Sequence, residues 1–315
     1  MKLYLVVPCY NEEEVLPETS KRLSEKMTSL MERGLIGNDS RVIFVNDGSK
    51  DKTWEIITDL HKENKLFGGI CLSRNRGHQN ALLAGLMTVK DECDAVISMD
   101  ADLQDDINAI DEMVEKYNEG YDVVYGVRSS RKKDTFFKRT TAQGFYKLMK
   151  AMGVETVYNH ADYRLMSRRA LDGLSEFKEV NLFLRGMVPL VGFRHTTVTY
   201  ERGERFAGKS KYPLKKMLAF AFEGITSLSI KPIRLICTLG ILIFCVSIGM
   251  LIYSLVRHFM GYTVEGWSSL AVSIWALGGI QLLAIGVIGE YIGKIYLESK
   301  QRPRFLISDY LNDEN

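Results

Sequence analysis

Two aspartates separated by one residue, Asp100 and Asp102, directly follow a predicted strand at residues 95–99. An apolar run that ends in acidic residues is typical of a buried strand whose carboxyl end lies where open α/β sheets bind ligands. On extended chain this spacing points both carboxylates to one side, so they can share Mg²⁺ or Mn²⁺, which also hold substrate phosphates. A polar loop that caps the next helix is the alternative interpretation.

Alternating strands and helices place these aspartates in a larger sheet. Apolar runs predict strands at residues 3–7, 41–45, 69–72 and 95–99, and helical spacing predicts helices at residues 12–31, 52–63 and 77–89. This alternation indicates βαβ units and a doubly wound, mostly parallel α/β sheet. Polar, turn-forming segments follow the four strands at residues 8–12, 46–49, 73–77 and 100–105. We therefore expect one crevice at the carboxyl edge of the sheet. Asp47 is expected to accept hydrogen bonds from a nucleotide there, and the alternative is that it only stabilises its own turn.

Charged residues are unevenly distributed along the 315 residues. Up to about residue 212 they mix with apolar residues as in a soluble domain, whereas residues 235–256 and 267–289 carry no charge. Each uncharged segment exceeds the ~20 residues that a helix needs to cross a bilayer, which predicts two transmembrane helices. A buried hydrophobic hairpin is the alternative. Lysines and arginines flank the outer ends of the pair, which predicts that both termini are cytoplasmic.

Residues 212–233 carry apolar side chains at helical spacing opposite lysines, which predicts amphipathic juxtamembrane helices on the membrane surface. Packing of this segment into the soluble core is the alternative. The predicted organisation is a catalytic domain at 1–211, the juxtamembrane helices, two transmembrane helices within 234–292 and a cytoplasmic tail at 293–315. Small residues in the second span permit close helix contact and predict a homo-oligomer. Five scattered cysteines lack metal-site spacing and are expected to be reduced.

The segments at residues 8–12, 46–49 and 100–105, in this order and spacing, resemble those of family 2 glycosyltransferases with a GT-A fold. More narrowly, the chain resembles the polyprenyl-phosphate glycosyltransferases, the group that includes dolichol-phosphate mannose synthase and GtrB-type bactoprenol glucosyltransferases. The resemblance continues through residues 159–166 and 205–212 into the two C-terminal spans, so it covers nearly the whole chain.

The resemblance implies roles for individual residues. Those expected to bind the nucleotide sugar are Pro8, Tyr10, Glu12, Asp47, Asp100, Ala101, Asp102, Gln104, Arg128, Arg205 and Lys211. Those expected to hold Mg²⁺ or Mn²⁺ are Asp100, Asp102 and Gln104, and those expected near the acceptor phosphate are Lys138 and Arg139. Asp102 and Asp162 are the expected catalytic residues. Asp162 is interpreted as a general base or a positioning residue, because a lipid monophosphate is already anionic at neutral pH and needs little help to attack. His78 and His160 are expected to be structural, although His78 faces the crevice.

The implied reaction is a metal-dependent, inverting transfer of one sugar to undecaprenyl phosphate at the cytoplasmic face of a bacterial plasma membrane. UDP-glucose is the expected donor, although other nucleotide sugars need similar phosphate contacts, and no nucleic acid is expected to bind. A processive polysaccharide synthase is one alternative, but the chain lacks the Gln-x-x-Arg-Trp signature of that group. The other alternative is a noncatalytic nucleotide-binding scaffold or transport subunit. Against this alternative, the two spans contain no residue more polar than Gln281, so they offer no evident path for a hydrophilic cargo.

Overall fold

The computed structural model describes residues 1–129, 152, 160–201, 203, 225–227, 229–260 and 267–312. The strands of this part of the chain are β1 (Leu3–Cys9), β2 (Arg41–Asn46), β3 (Phe67–Leu72), β4 (Ala95–Ser98), β5 (Val123–Arg128), β6 (His160–Ser167), β7 (His195–Tyr200) and β8 (Ile307–Leu311). They form one sheet in the order β7-β5-β6-β4-β1-β2-β3-β8.

The centre of the sheet is parallel. Strand β1 pairs in parallel with β2 and β4, β2 pairs in parallel with β3, and β5 pairs in parallel with β7. The exceptions are β6, which runs antiparallel between β4 and β5, and β8, which runs antiparallel to β3 at the sheet edge. The prediction of a mostly parallel α/β sheet is confirmed, although the apolar pattern predicts no strand at β6, β7 or β8.

Helices cover both faces of the sheet. The described helices are α1 (Leu16–Glu32), α2 (Thr53–Glu63), α3 (His78–Val89), α4 (Ala109–Asn118), α5 (Arg168–Ser175), α6 (Leu184–Leu190), α7 (Lys231–Phe259) and α8 (Trp267–Ser299). Helix α1 begins later than the predicted 12–31, because residues 13–15 form turns before Pro17 enters the first turn of the helix.

Strand alternation divides the core into two layers. Leu5 of β1 belongs to one buried cluster with Leu23 and Met27 of α1, whereas its neighbour Val6 belongs to a second cluster with Leu82 of α3. Because successive side chains on a strand point to opposite faces, one apolar strand supplies both layers. Burying each large aliphatic side chain contributes about 1.5–3 kcal/mol, so the two layers hold the carboxyl edge of the sheet in a fixed shape.

Helices α7 and α8 are long and apolar. Each contains a segment long and apolar enough to cross a membrane, Lys231–Met250 of 20 residues and Leu277–Ser299 of 23 residues, and neither segment is buried against the rest of the protein. The predicted spans at 235–256 and 267–289 lie within these helices. Of the predicted juxtamembrane segment at 212–233, most residues lie outside the described part of the chain.

The end of α8 is attached to the sheet domain. The Glu298 carboxylate accepts the backbone N–H groups of Val180 and Asn181, both at 2.9 Å. Lys294 Nζ donates to Thr226 Oγ1 at 2.6 Å and to Ser227 Oγ at 3.0 Å. Downstream, β8 adds to the edge strand β3. The segment predicted as a tail at 293–315 therefore continues α8 and then completes the sheet.

Helix α3 packs tightly against the sheet at Gly85. A Cβ atom at this position would lie 2.5 Å from Val6 Cγ1 and 2.7 Å from Val45 Cγ2. We expect Gly85→Ala to destabilise the protein by about 1–3 kcal/mol through overpacking, measured as a lower Tm of the detergent-solubilised chain. Gly293→Ala is the control, since a Cβ at Gly293 meets no heavy atom of the described residues within 4 Å. Equal Tm values for the two variants would contradict the packing described.

Candidate active site

Hydrogen bonds join the loops that follow β1 and β2. The Asn11 N–H donates to Ser49 Oγ at 3.0 Å, and Asn11 Oδ1 accepts from the Lys50 N–H at 3.0 Å. The Glu12 N–H donates to Thr53 Oγ1 at 2.9 Å. Asn11 has a φ of 53°, a left-handed conformation that asparagine tolerates because its side chain can hydrogen-bond locally. These contacts hold the two loops together at the carboxyl edge of the sheet.

The buried carboxylate of Asp47 holds the loop after β3. Its Oδ1 accepts the Arg76 N–H at 2.7 Å, and its Oδ2 accepts the Gly77 N–H at 2.9 Å. Burial raises the pKa of Asp47, while the two backbone N–H groups act in the opposite direction. Gly48 has a φ of 61°, and a Cβ there would lie 2.5 Å from the backbone nitrogen of Asn75, so the close approach of the loops requires glycine. Asp47 therefore connects the ends of β2 and β3.

The acidic motif forms a tight turn after β4. The Asp100 side chain is 39% exposed, and Asp102 Oδ1 accepts the Gln104 N–H at 3.2 Å. Leu103 has a φ of 56°, a left-handed conformation that costs about 1–2 kcal/mol for a residue with a Cβ. Strain of this kind is concentrated at functional sites. Here it lies between the two residues, Asp102 and Gln104, that were predicted to hold a metal.

A further carboxylate of the motif, Asp105, is buried and anchors Arg128. Tyr200 donates from its hydroxyl to Asp105 Oδ1 at 2.5 Å, and Arg128 Nη2 lies 3.6 Å from the same oxygen. Arg128 Nε also donates to the Tyr200 hydroxyl at 3.3 Å. Burial raises the pKa of Asp105 to about 6, the charge of Asp100 adds to this, and Tyr200 and Arg128 oppose it. The Arg128 guanidinium is thus held beside the acidic motif.

Asp162, on β6, binds two arginines. Arg164 Nη2 donates to its Oδ1 at 3.1 Å, and Arg185 of α6 donates from Nε and Nη2 to its Oδ2 at 3.2 Å and 2.9 Å. Burial alone would raise the pKa of Asp162, but the charges of Arg185 and Arg164 hold the pKa far below its ordinary value. A carboxylate with so low a pKa is a weak proton acceptor. Both oxygens of the Asp162 carboxylate thus accept hydrogen bonds from guanidiniums, an arrangement that suits a positioning residue.

His78 lies between the acidic motif and this cluster. Its Nε2 is 3.5 Å from Asp100 Oδ1 and 3.8 Å from Asp162 Oδ2. It is the first residue of α3, directly after Gly77, whose φ of 87° turns the chain into the helix. One imidazole thus lies near the carboxylates of two strand ends, and the expectation of a structural His78 stays a prediction.

The structure brings most of the expected site residues to one edge of the sheet. Those described there are Pro8, Tyr10, Glu12, Asp47, Asp100, Ala101, Asp102, Gln104, Arg128 and Asp162. Those that lie outside the described residues are Lys138, Arg139, Arg205 and Lys211. The contacts of Asp105, Arg164, Arg185 and Tyr200 were not predicted. Only the spacing of Asp162 and Arg164, which places both on one face of a strand, could have indicated an ion pair.

Asp100 and Asp102 offer oxygen donors of the kind that a hard cation prefers. Within the described part of the chain, no group of three His, Cys, Asp or Glu side chains is arranged to hold a metal ion. Mg²⁺ commonly binds through one or two carboxylates together with water and substrate phosphates, and does not need a complete protein cage. The two carboxylates therefore fit a cation that shares its coordination with a phosphate substrate.

We expect Asp162→Asn to lower the free energy of unfolding by about 3–5 kcal/mol, because it leaves the fully buried Arg164 without a counter-charge. Denaturant titration of the solubilised chain measures the loss. The control is Asp172→Asn, which removes a carboxylate that is 53% exposed and paired with Lys90, and is expected to cost less than ~1 kcal/mol. Since the folded-state pKa of Asp162 is depressed, its stabilisation is complete above pH ~4 and is lost as the pH falls further. Equal stabilities of the two variants at neutral pH would contradict this description.

Comparison with known proteins identifies the family. Residues 4–174 match the model of glycosyl transferase family 2, and residues 231–295 match that of the GtrB C-terminal hairpin. The protein described as uncharacterized glycosyltransferase YkoT of Bacillus subtilis is 55% identical over 99% of this chain and 93% of its own length. Bactoprenol glucosyl transferase of Shigella phage SfV is 41% identical over 98% of this chain and 99% of its own length. This chain belongs to glycosyl transferase family 2 and is a glycosyltransferase with a GtrB-type C-terminal hairpin.

Proposed function

We propose that this glycosyltransferase transfers one glucose from UDP-glucose to undecaprenyl phosphate at the cytoplasmic face of a bacterial plasma membrane. The observation that carries the proposal is the attachment of an apolar helix to the crevice. Glu298, at the end of α8, binds the backbone of the loop that leads to Arg185, and Arg185 binds Asp162. A crevice attached in this way to a membrane helix suits an acceptor that is itself anchored in the membrane.

Both substrates are proposed by analogy with relatives and by the chemistry of the crevice. A relative that is 41% identical along nearly the whole chain is named bactoprenol glucosyl transferase, which supports a glucosyl donor and a polyprenyl acceptor. Residues proposed to contact the nucleotide sugar are Pro8, Tyr10, Glu12, Asp47, Asp100, Ala101, Asp102, Gln104, Arg128, Arg205 and Lys211. Residues proposed near the acceptor phosphate are Lys138 and Arg139.

The membrane arrangement rests on the two apolar helices and on charge. Lys231 and Arg234 lie at the start of α7, and Lys300, Arg302 and Arg304 follow α8. Positive charge prefers the cytoplasmic side, so both helices are proposed to span the membrane with the catalytic domain in the cytoplasm. A row of glycines in α8 has open space at each Cβ position within the described structure, which supports self-association.

The proposed chemistry is a direct displacement. The phosphate of the acceptor is anionic at neutral pH, so its oxygen can attack the sugar without a strong base. This agrees with the depressed pKa of Asp162. Attack on the face opposite the leaving nucleotide inverts the configuration at the sugar carbon. Arg128, fixed by Asp105 and Tyr200, supplies a preorganised positive charge for the diphosphate. Mg²⁺ or Mn²⁺ held by Asp100, Asp102 and Gln104 would neutralise charge on the same leaving group.

The proposal predicts that purified protein with Mg²⁺ or Mn²⁺ transfers label from UDP-[¹⁴C]glucose to undecaprenyl phosphate. The measurement is labelled lipid recovered by organic extraction, with UDP-N-acetylglucosamine, UDP-galactose and GDP-mannose as parallel donors. Undecaprenol, which lacks the phosphate, is the acceptor control and is expected to remain unlabelled. Transfer from another donor would replace the assigned sugar, whereas no labelled lipid with any of these donors would refute the proposal.

We expect Asp102→Asn to lower transfer at least ~100-fold, because the cation that Asp102 is proposed to hold would stabilise the leaving diphosphate mainly in the transition state. Chelation of divalent cations is expected to abolish wild-type transfer, and added Mn²⁺ or Mg²⁺ to restore it. Asp59→Asn is the matched control, since Asp59 is a surface residue paired with Lys62. Full activity of Asp102→Asn, or of the chelated enzyme, would contradict the metal assignment.

A further inference from the structure

Among the described residues, the cluster around Asp162 contains two guanidiniums and one carboxylate. One carboxylate contacts two guanidiniums, Arg164 and Arg185, and the His78 imidazole lies 3.8 Å from the same carboxylate. Counting only the three permanently charged groups, the cluster has a net charge of +1. A guanidinium that is partly exposed beside such a cluster is suited to bind an anionic ligand.

The two arginines differ in how far their side chains are exposed to a ligand. The Arg164 side chain is 0% exposed, and its Nε and Nη1 atoms have no hydrogen-bond partner among the described residues. The Arg185 side chain is 34% exposed while it holds Asp162 through Nε and Nη2. Arg164 therefore contributes buried positive charge, and Arg185 is the member of the pair that a ligand can contact.

Backbone hydrogen bonds also fix the segment that carries Arg185. The backbone N–H of Leu184, its neighbour in the chain, donates to Gln79 Oε1 at 2.8 Å, and Gln79 follows His78 in α3. In the loop just before α6, the N–H groups of Val180 and Asn181 donate to the carboxylate of Glu298. The segment that carries Arg185 is thus attached on one side to the helix that starts beside the acidic motif, and on the other to the end of the apolar helix α8.

We infer that Arg185, oriented by Asp162, binds the phosphate of the lipid acceptor during transfer. The inference rests on the proposed function and adds a residue to it. Asp100 and Asp102 are suited to the donor diphosphate through a cation, and His78 joins Asp100 to the Asp162 cluster. A phosphate on Arg185 would therefore lie next to the sugar being transferred. A guanidinium binds phosphate in a planar, bidentate manner, which also fixes the direction of the attacking oxygen.

The position of Arg185 favours the acceptor over the donor. The donor diphosphate already has candidate partners in the acidic motif and in Arg128. The loop that leads to Arg185 instead contacts α8. If α8 spans the membrane as proposed, a membrane-anchored lipid would approach from this side. Asp162 acts here as a positioning residue, because it keeps the guanidinium in place without taking up a proton.

Steady-state kinetics of Arg185→Ala and Arg185→Lys test the inference. Arg185→Ala is expected to fold, since it leaves Asp162 paired with Arg164, and equal Tm values check this. We expect at least a tenfold higher KM for undecaprenyl phosphate in Arg185→Ala, from the loss of a charged hydrogen bond, and a KM for the nucleotide sugar within about twofold of wild type. Arg185→Lys should recover part of the loss. Arg194→Ala is the control, since Arg194 is an exposed arginine that stacks on Tyr121 at the opposite edge of the sheet.

A binding measurement keeps this test separate from the test of the proposed function. Native mass spectrometry of the full-length protein in detergent measures the bound fraction of undecaprenyl phosphate without any donor. Weaker lipid binding by Arg185→Ala than by wild type and Arg194→Ala supports the inference, whatever the donor proves to be. Unchanged binding and unchanged lipid KM would overturn it while leaving wild-type transfer intact. A raised KM for the nucleotide sugar alone would also overturn it, because it would assign Arg185 to the donor.

Discussion

The candidate site at the carboxyl edge of the sheet depends on one ion cluster, in which the carboxylate of Asp162 holds Arg164 and Arg185. Neither Asp162 nor Arg164 could be buried alone, since an unpaired ion in a protein interior costs several kcal/mol. Pairing with Asp162 makes the burial of Arg164 possible and holds Arg185 in place. The same pairing depresses the pKa of Asp162, so the residue remains ionised and keeps both guanidiniums oriented throughout the physiological pH range.

Around this cluster, charges of opposite sign lie on neighbouring strand ends. Asp100 and Asp102 lie at the end of β4, Arg128 at the end of β5, and Asp162 near the start of the antiparallel strand β6. Strand pairing fixes their order, because β6 lies between β4 and β5. The reversed direction of β6 brings its first residues to the edge where its neighbours end. A doubly wound sheet thereby gains a charged cluster at its crevice that a purely parallel sheet would place at the other edge.

Local patterns predict the parallel half of the sheet and the acidic motif, because apolar runs and turn residues there follow the chain directly. The antiparallel strand β6 escapes prediction, since the buried charges of Asp162 and Arg164 interrupt its apolar pattern. The partnership of Asp162 with Arg185 spans 23 residues and exists only through tertiary packing. The turn after β2 predicts the position of Asp47 at the carboxyl edge of the sheet, but the bonds of Asp47 to the loop after β3 depend on the backbone of a distant turn.

The central claim is that two anionic substrates meet between the acidic motif and the Asp162 cluster. A cryo-EM structure of the full-length protein in lipid nanodiscs with UDP, Mn²⁺ and undecaprenyl phosphate tests it most directly. We predict Mn²⁺ bound by Asp100 or Asp102 together with the diphosphate, and an oxygen of the lipid phosphate within about 3.2 Å of the Arg185 guanidinium. A lipid phosphate bound away from Arg185, with Arg185 contacting only Asp162, would contradict the claim.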